Sequence, residues 1–133
     1  MAGFIQLLGR IMLALIFILA GVGKIMDPAG TSGYMESMGV PSILLWPAIL
    51  LEILGGIAIV VGYKTAVAAF SLAIFSISAA VLFHSDFGDK MQMILFMKNI
   101  AMAGGLLLLA VGGTTGFSFD SKKKNTNFFS TRL

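Results

Sequence analysis

Three ionisable side chains fall inside long apolar runs: Arg10 in the first, Glu52 in the second and Lys98 in the last. An ionised acid at bilayer depth costs on the order of 3 kcal/mol on insertion scales, so Glu52 needs a partner. At a rise of ~1.5 Å per residue, Glu52 lies roughly 14 Å below one end of its run. Arg10 and Lys98 lie roughly 9 Å deep from opposite sides, so each is offset from Glu52 by only about 6 Å along the axis. Long basic side chains cover that distance. The spacing predicts one intramembrane polar cluster of Arg10, Glu52, Lys98 and the adjacent Asn99. Two bases against one acid leave surplus positive charge. That surplus suits an anionic or carbonyl-bearing ligand, such as a quinone head or an acid substrate, with Glu52 holding the bases and relaying protons. The plainer alternative has Arg10 snorkelling to the headgroups and Lys98 pairing with Glu52, the charges serving only to register the helices.

A second constellation, Lys24, Asp27, His84, Asp86 and Asp89, lies at one boundary of the apolar runs. Lys24, Asp27 and His84 read as the mouth of the polar cluster. His84 either ends a helix as an amphipathic residue or exchanges protons beside a pocket. It is the only histidine, so neither bis-histidine haem nor a histidine-based metal site can be built within one chain, and no metal is expected. Cysteine is absent, which removes disulfides, thiolate ligands and dithiol–quinone chemistry. The sequence holds no phosphate loop, nucleotide fingerprint or nucleophile elbow, and no residue is assigned a catalytic role.

The elements that position these residues follow from composition. Of the 133 residues, 58% are hydrophobic and 11% charged, against roughly 25% charged in soluble domains. An integral membrane protein is implied, and continuous rather than alternating apolar runs exclude a β-barrel. Four spans are expected, at about residues 4–22, 44–61, 65–83 and 93–111. The first could pass for a signal peptide, but Arg10 inside it and the lack of basic residues ahead of it argue for a retained span. Between spans one and two, Thr31 or Ser32 can cap a short interfacial helix that Gly39 and Pro41 end. Ala69, Ala73, Ser76 and Ala80 recur at helical spacing in the third span and permit close helix approach.

The fold class is therefore all-α: a four-helix membrane bundle over residues 1–120, followed by a basic, disordered cytoplasmic tail at 121–133. Phe117-Ser118-Phe119-Asp120 is expected to fold back on the membrane surface. An even number of spans puts both termini on one side, with Lys64, Lys122, Lys123, Lys124 and Arg132. The opposite side has Lys24 and Lys90 among Asp27, Glu36, Asp86 and Asp89, so the termini should be cytoplasmic. The partners expected are lipids rather than nucleic acid; the lysine run is a juxtamembrane cluster.

The order of features resembles the DoxX family of small bacterial four-helix membrane proteins. The resemblance rests on Leu8-Gly9-Arg10; Phe17 with Gly21, Gly23 and Lys24; Asp27-Pro28; Gly33-Tyr34-Met35; and Gly39-Val40-Pro41. It continues through Glu52 with Gly55-Gly56, Gly62 with Thr65, His84, Lys98-Asn99, Gly104-Gly105 and Ser118-Phe119-Asp120. One departure is Ala66 after Thr65, where the family often has a basic residue. The resemblance implies a multi-pass plasma (inner) membrane protein loosely associated with quinone-linked redox, since the family is named for a partner of a thiosulfate:quinone oxidoreductase. It implies recurrent polar positions at Arg10, Lys24, Glu52, His84, Lys98 and Asn99, but no activity. The leading expectation is a quinone-interacting or accessory subunit of a membrane redox system, without a tightly bound cofactor. The alternatives are a ligand-free structural or assembly subunit of a larger membrane complex, and a small-acid transport component, which would need a homo-oligomer to enclose a pathway.

Overall fold

The computed structural model describes residues 1–122, and the sequence beyond Lys122, including most of the expected tail, lies outside the described residues. Four long helices carry the chain back and forth: α1 Ala2–Met26, α3 Leu45–Val61, α4 Thr65–Phe83 and α5 Lys90–Gly112. All four, α3 counted from Ser42, are long and apolar enough to cross a membrane. Two short helices complete the element order, α2 Pro28–Ser37 and α6 Phe119–Lys122, with a 3₁₀ turn at Ser42–Leu44. Among the described residues there is no strand. The expected architecture is therefore the observed one, with α1 and α5 each extending a few residues beyond the spans read from sequence.

Local chemistry sets the boundaries. Helix α2 begins earlier than the Thr31 or Ser32 cap expected from sequence. Asp27 is the cap: its Oδ1 accepts from the Gly30 N–H at 3.0 Å, and Pro28 takes the first position, where no N–H is needed. Thr31 instead donates its hydroxyl to the Asp27 carbonyl at 2.9 Å. Asp89 caps α5 in the same way through the Met91 N–H. Pro47 sits in the first turn of α3, where a proline is tolerated.

Helices α1 and α3 pack together most closely, as do α4 and α5, while α3 and α4 share a smaller interface and α1 barely touches α5. The α1–α3 seam depends on Gly21 and Gly56. A β-carbon at Gly21 would come 2.5 Å from Ile53 Cγ1, and one at Gly56 would come 2.6 Å from Ile18 Cγ1. The buried core is small-residue rich, with Ala14, Ala69, Ala73, Ala103 and Ala110 around Phe17, Ile59, Leu72 and Leu106. Small residues allow backbones to approach where lipid supplies no hydrophobic drive between helices. The outer surface carries exposed Leu8, Leu15, Leu50, Leu54 and Leu108, as a bilayer-facing surface must.

The two ends of the bundle differ. At one end lie the start of α1, the Gly62–Lys64 turn and α6. At the other, α2 lies across the helix ends, with Tyr34 stacked on Phe83 at a centroid distance of 5.5 Å and Met35 and Val40 buried beneath. They are called here the terminal end and the α2 end.

Candidate functional site

Glu52 sits near the midpoint of α3, 3% exposed. Its partner is neither of the bases expected from sequence. Lys24, in the last turn of α1, places Nζ 2.7 Å from Glu52 Oε1. The pair is an ion pair by distance, and Glu52 Oε1 makes no hydrogen bond of ordinary angle. The direction of the side chains explains the exchange of partners. In a helix the Cα–Cβ bond tilts toward the N-terminus, and α1 starts at the terminal end. Lys24 is therefore aimed back into the membrane, toward Glu52. Arg10 on the same helix is aimed away from it.

Arg10 is buried at the terminal end, 2% exposed, and its guanidinium is saturated. Nη1 donates to the Ile59 and Val60 carbonyls at 3.1 and 2.9 Å, and Nη2 to those of Gly116 and Phe117 at 3.2 and 2.8 Å. Nε donates to Gln6 Oε1 at 3.0 Å. All five of the guanidinium N–H groups thus have acceptors. Ile59 and Val60 lie in the last turn of α3, whose carbonyls have no intrahelical partner and carry the negative end of the helix dipole. Arg10 neither snorkels to the headgroups nor joins Glu52. It ties α1, α3 and the returning C-terminal segment together. That segment folds back as expected: Asp120 accepts from the Lys64 and Thr65 N–H groups at 2.9 and 2.8 Å and so caps α4. Ser121, assigned from sequence to the tail, bonds instead with Ser118 and Thr114.

Lys98 is exposed on α5 and is not among the residues that surround Glu52. The three-charge cluster is thereby corrected to a two-charge pair, Lys24 and Glu52, with no surplus base. Asn99, next to Lys98, does turn inward.

The pair lines a cavity of about 410 Å³ under α2, bounded by α1, α3, α4 and α5. Its polar lining comes from Lys24, Glu52, Ser76, His84, Asn99, Thr31 and Tyr34, against apolar walls from Phe17, Phe75, Phe83 and Met102. Of the three residues read as mouth residues, Lys24 and His84 line the cavity, while Asp27 is not among its lining residues and caps α2. His84 Nδ1 is 2.8 Å from Gln92 Oε1. An amide oxygen only accepts, so Nδ1 carries a proton in this arrangement.

By sequence Ser76 is a small residue suited to close helix packing. It is 2% exposed, and its Oγ has no hydrogen-bond partner. A serine in a membrane helix ordinarily bonds a carbonyl one turn back, so an orphaned hydroxyl beside a cavity is a departure. Helix α4 also contains Ser71 and Ser78; spacing puts Ser76 on the small-residue face but does not mark its hydroxyl as unpaired.

The chain matches the DoxX family over residues 5–85, which hold α1 to α4 and the Lys24–Glu52 pair. It belongs to that family. Among proteins of known sequence it is similar to the inner membrane protein YqjF of Escherichia coli K12, at 46% identity over 114 residues, covering 86% of this chain and 88% of the relative. It is also similar to the inner membrane protein YphA of the same organism, at 37% identity over 123 residues, covering 87% and 88%. No solved structure matches. In this DoxX-family membrane protein the Lys24–Glu52 ion pair lines the cavity under α2.

Proposed function

We propose that this DoxX-family protein binds a small carbonyl-bearing molecule of the quinone kind in the cavity under α2, as an accessory subunit of an inner-membrane redox system with no tightly held cofactor. The observation that carries the reading is the orphaned Ser76 hydroxyl beside the Lys24–Glu52 pair in a cavity with room for a ring. Lys24 has three N–H donors and commits one direction to Glu52; Ser76 and Asn99 add neutral donors. Carbonyl oxygens are the acceptors such a set lacks. Aromatic walls at Phe17, Phe75 and Phe83 suit the faces of a flat ring. An unsatisfied buried hydroxyl costs about 1–3 kcal/mol, which a ligand's carbonyl would recover. The family resemblance and the names of the relatives agree with an inner-membrane setting. The distribution of lysines supports cytoplasmic termini, so the cavity opens on the opposite side.

The test is equilibrium dialysis of a tailless ring, 2,3-dimethoxy-5-methyl-1,4-benzoquinone, against the purified protein in phosphatidylcholine nanodiscs. The lack of cysteine removes covalent thiol addition as a confounder. Ser76→Ala and Asn99→Leu should each weaken binding roughly tenfold, the worth of about one hydrogen bond. Equal binding by the wild type and both variants would end the reading. A ligand-free assembly subunit predicts no binding at all, with Lys24→Met affecting stability alone.

A further inference from the structure

Helices α3 and α4 are joined at the terminal end by a three-residue turn and share only a modest interface. Near the turn they are close: a β-carbon at Gly55 would lie 3.0 Å from Leu72. Toward the α2 end they part, and a second cavity of about 300 Å³ lies between the first turns of α3 and the last turns of α4. Its walls, among them Leu44, Ala48, Leu51 and Leu82, are almost wholly carbon. It is not a separate feature. Lys24, Met35, Phe75, Ala79 and Phe83 line both this cleft and the polar cavity, so the two adjoin through a common wall.

We infer that the ligand of the polar cavity is a membrane-dissolved amphiphile: its polar head lies by Lys24, Glu52 and Ser76, and a single apolar tail lies in the α3–α4 cleft. The inference rests on the proposed ligand reading and adds the tail, its slot and the direction of access. The reason is polarity on the two sides of one wall. A water-soluble ligand has no use for a hydrocarbon cleft opening beside its head. A tailed ligand drawn from the bilayer must keep its chain out of water while its head reaches the ion pair, and the cleft provides that route. Because lipid is as apolar as the cleft, the tail gains little by moving into it. The cleft therefore acts on which molecules can seat their heads rather than by supplying hydrophobic drive. Ala48 lies on this wall, partly exposed, and a large side chain there would occupy the slot.

The experiment uses a benzoquinone probe with a ten-carbon tail bearing a terminal diazirine, photolysed with the full-length protein in phosphatidylcholine nanodiscs and mapped by mass spectrometry. Adducts on residues 44–51 and 78–83 are expected. Excess tailless ring should compete them away, and Ser76→Ala and Ala48→Phe should each reduce them at least tenfold. Adducts confined to the lipid-facing surfaces of α1 and α5 would overturn the inference. Cleft adducts insensitive to the competing ring and to Ser76→Ala would also overturn it, showing an annular lipid chain in the cleft. Should the tailless ring bind while cleft adducts are absent, the tail is refuted and the polar cavity stands. Failure of both probes to bind removes the cavity reading and this inference with it.

Discussion

Arg10 meets four main-chain carbonyls and one side-chain amide oxygen with a planar fork of donors. Lysine in its place keeps the charge but offers three donors from a single point, so at least two of the five acceptors lose their partner. Each such orphan costs about 1–3 kcal/mol, so Arg10→Lys should lower unfolding stability in mixed micelles by about 3 kcal/mol. A variant as stable as the wild type would show that water reaches those carbonyls. The Lys24–Glu52 pair predicts an asymmetry. Lys24→Met strands an almost fully buried carboxylate and should cost about 3 kcal/mol or more. Glu52→Gln should cost clearly less, since the Lys24 side chain is a quarter exposed and can withdraw toward the α2 end. Equal losses in the two variants would contradict that picture. Sequence located the buried acid correctly because depth is counted in residues. It chose the wrong bases because axial distance ignores side-chain direction: Arg10 and Lys24 are both on α1, and only the one nearer its C-terminal end points at Glu52. Ser76 was illegible for another reason, since the absence of a partner is a property of neighbours that no spacing records.

At the scale of elements, the boundary of α4 is held from far along the chain. Its first N–H groups are capped not by Lys64 beside them but by Asp120, at the start of α6, whose two oxygens take one N–H each. Removing both acceptors in Asp120→Ala should cost about 1–2 kcal/mol, the range of a helix cap near the dipole's positive end. Asp120→Asn keeps one oxygen and should fall between, as read by thermal denaturation in detergent. Matching melting temperatures for all three would deny the cap. The docking surface is equally particular. Gly62 is left-handed at φ 72, and a β-carbon there would collide with Ser118 and Arg10 Nη1. Apolar runs and glycine or proline punctuation made the four long helices readable to within a few residues. The sequence reading puts the cap of α2 four or five residues too late: Asp27 is at least as good a cap as Thr31 or Ser32, and Pro28 takes the first helical position. The cap of α4 was out of reach, because a residue 55 positions away supplies it.

For the whole molecule, these contacts make the two ends unequal. The terminal end is sealed by Arg10, by Gln6 donating to the Gly113 carbonyl at 2.6 Å, and by the Thr114, Ser118 and Ser121 hydroxyls. The α2 end keeps two adjoining cavities under a short helix, so the proposed ligand would enter from that half of the membrane. Which compartment that half faces decides what the protein can serve. Lys64 and Lys122 lie at the sealed end, whereas Asp27, Glu36, Asp86 and Asp89 gather at the other. The retention of positive loops in the cytoplasm then predicts that the cavities face the outer leaflet. The cysteine-free chain allows a direct measurement with single replacements at exposed positions. In intact cells, Met38→Cys at the α2 end should react with a membrane-impermeant maleimide, and Lys64→Cys should react only after the membrane is broken. The reverse pattern would invert the molecule and place the ion pair within reach of ligands from the cytoplasmic leaflet instead.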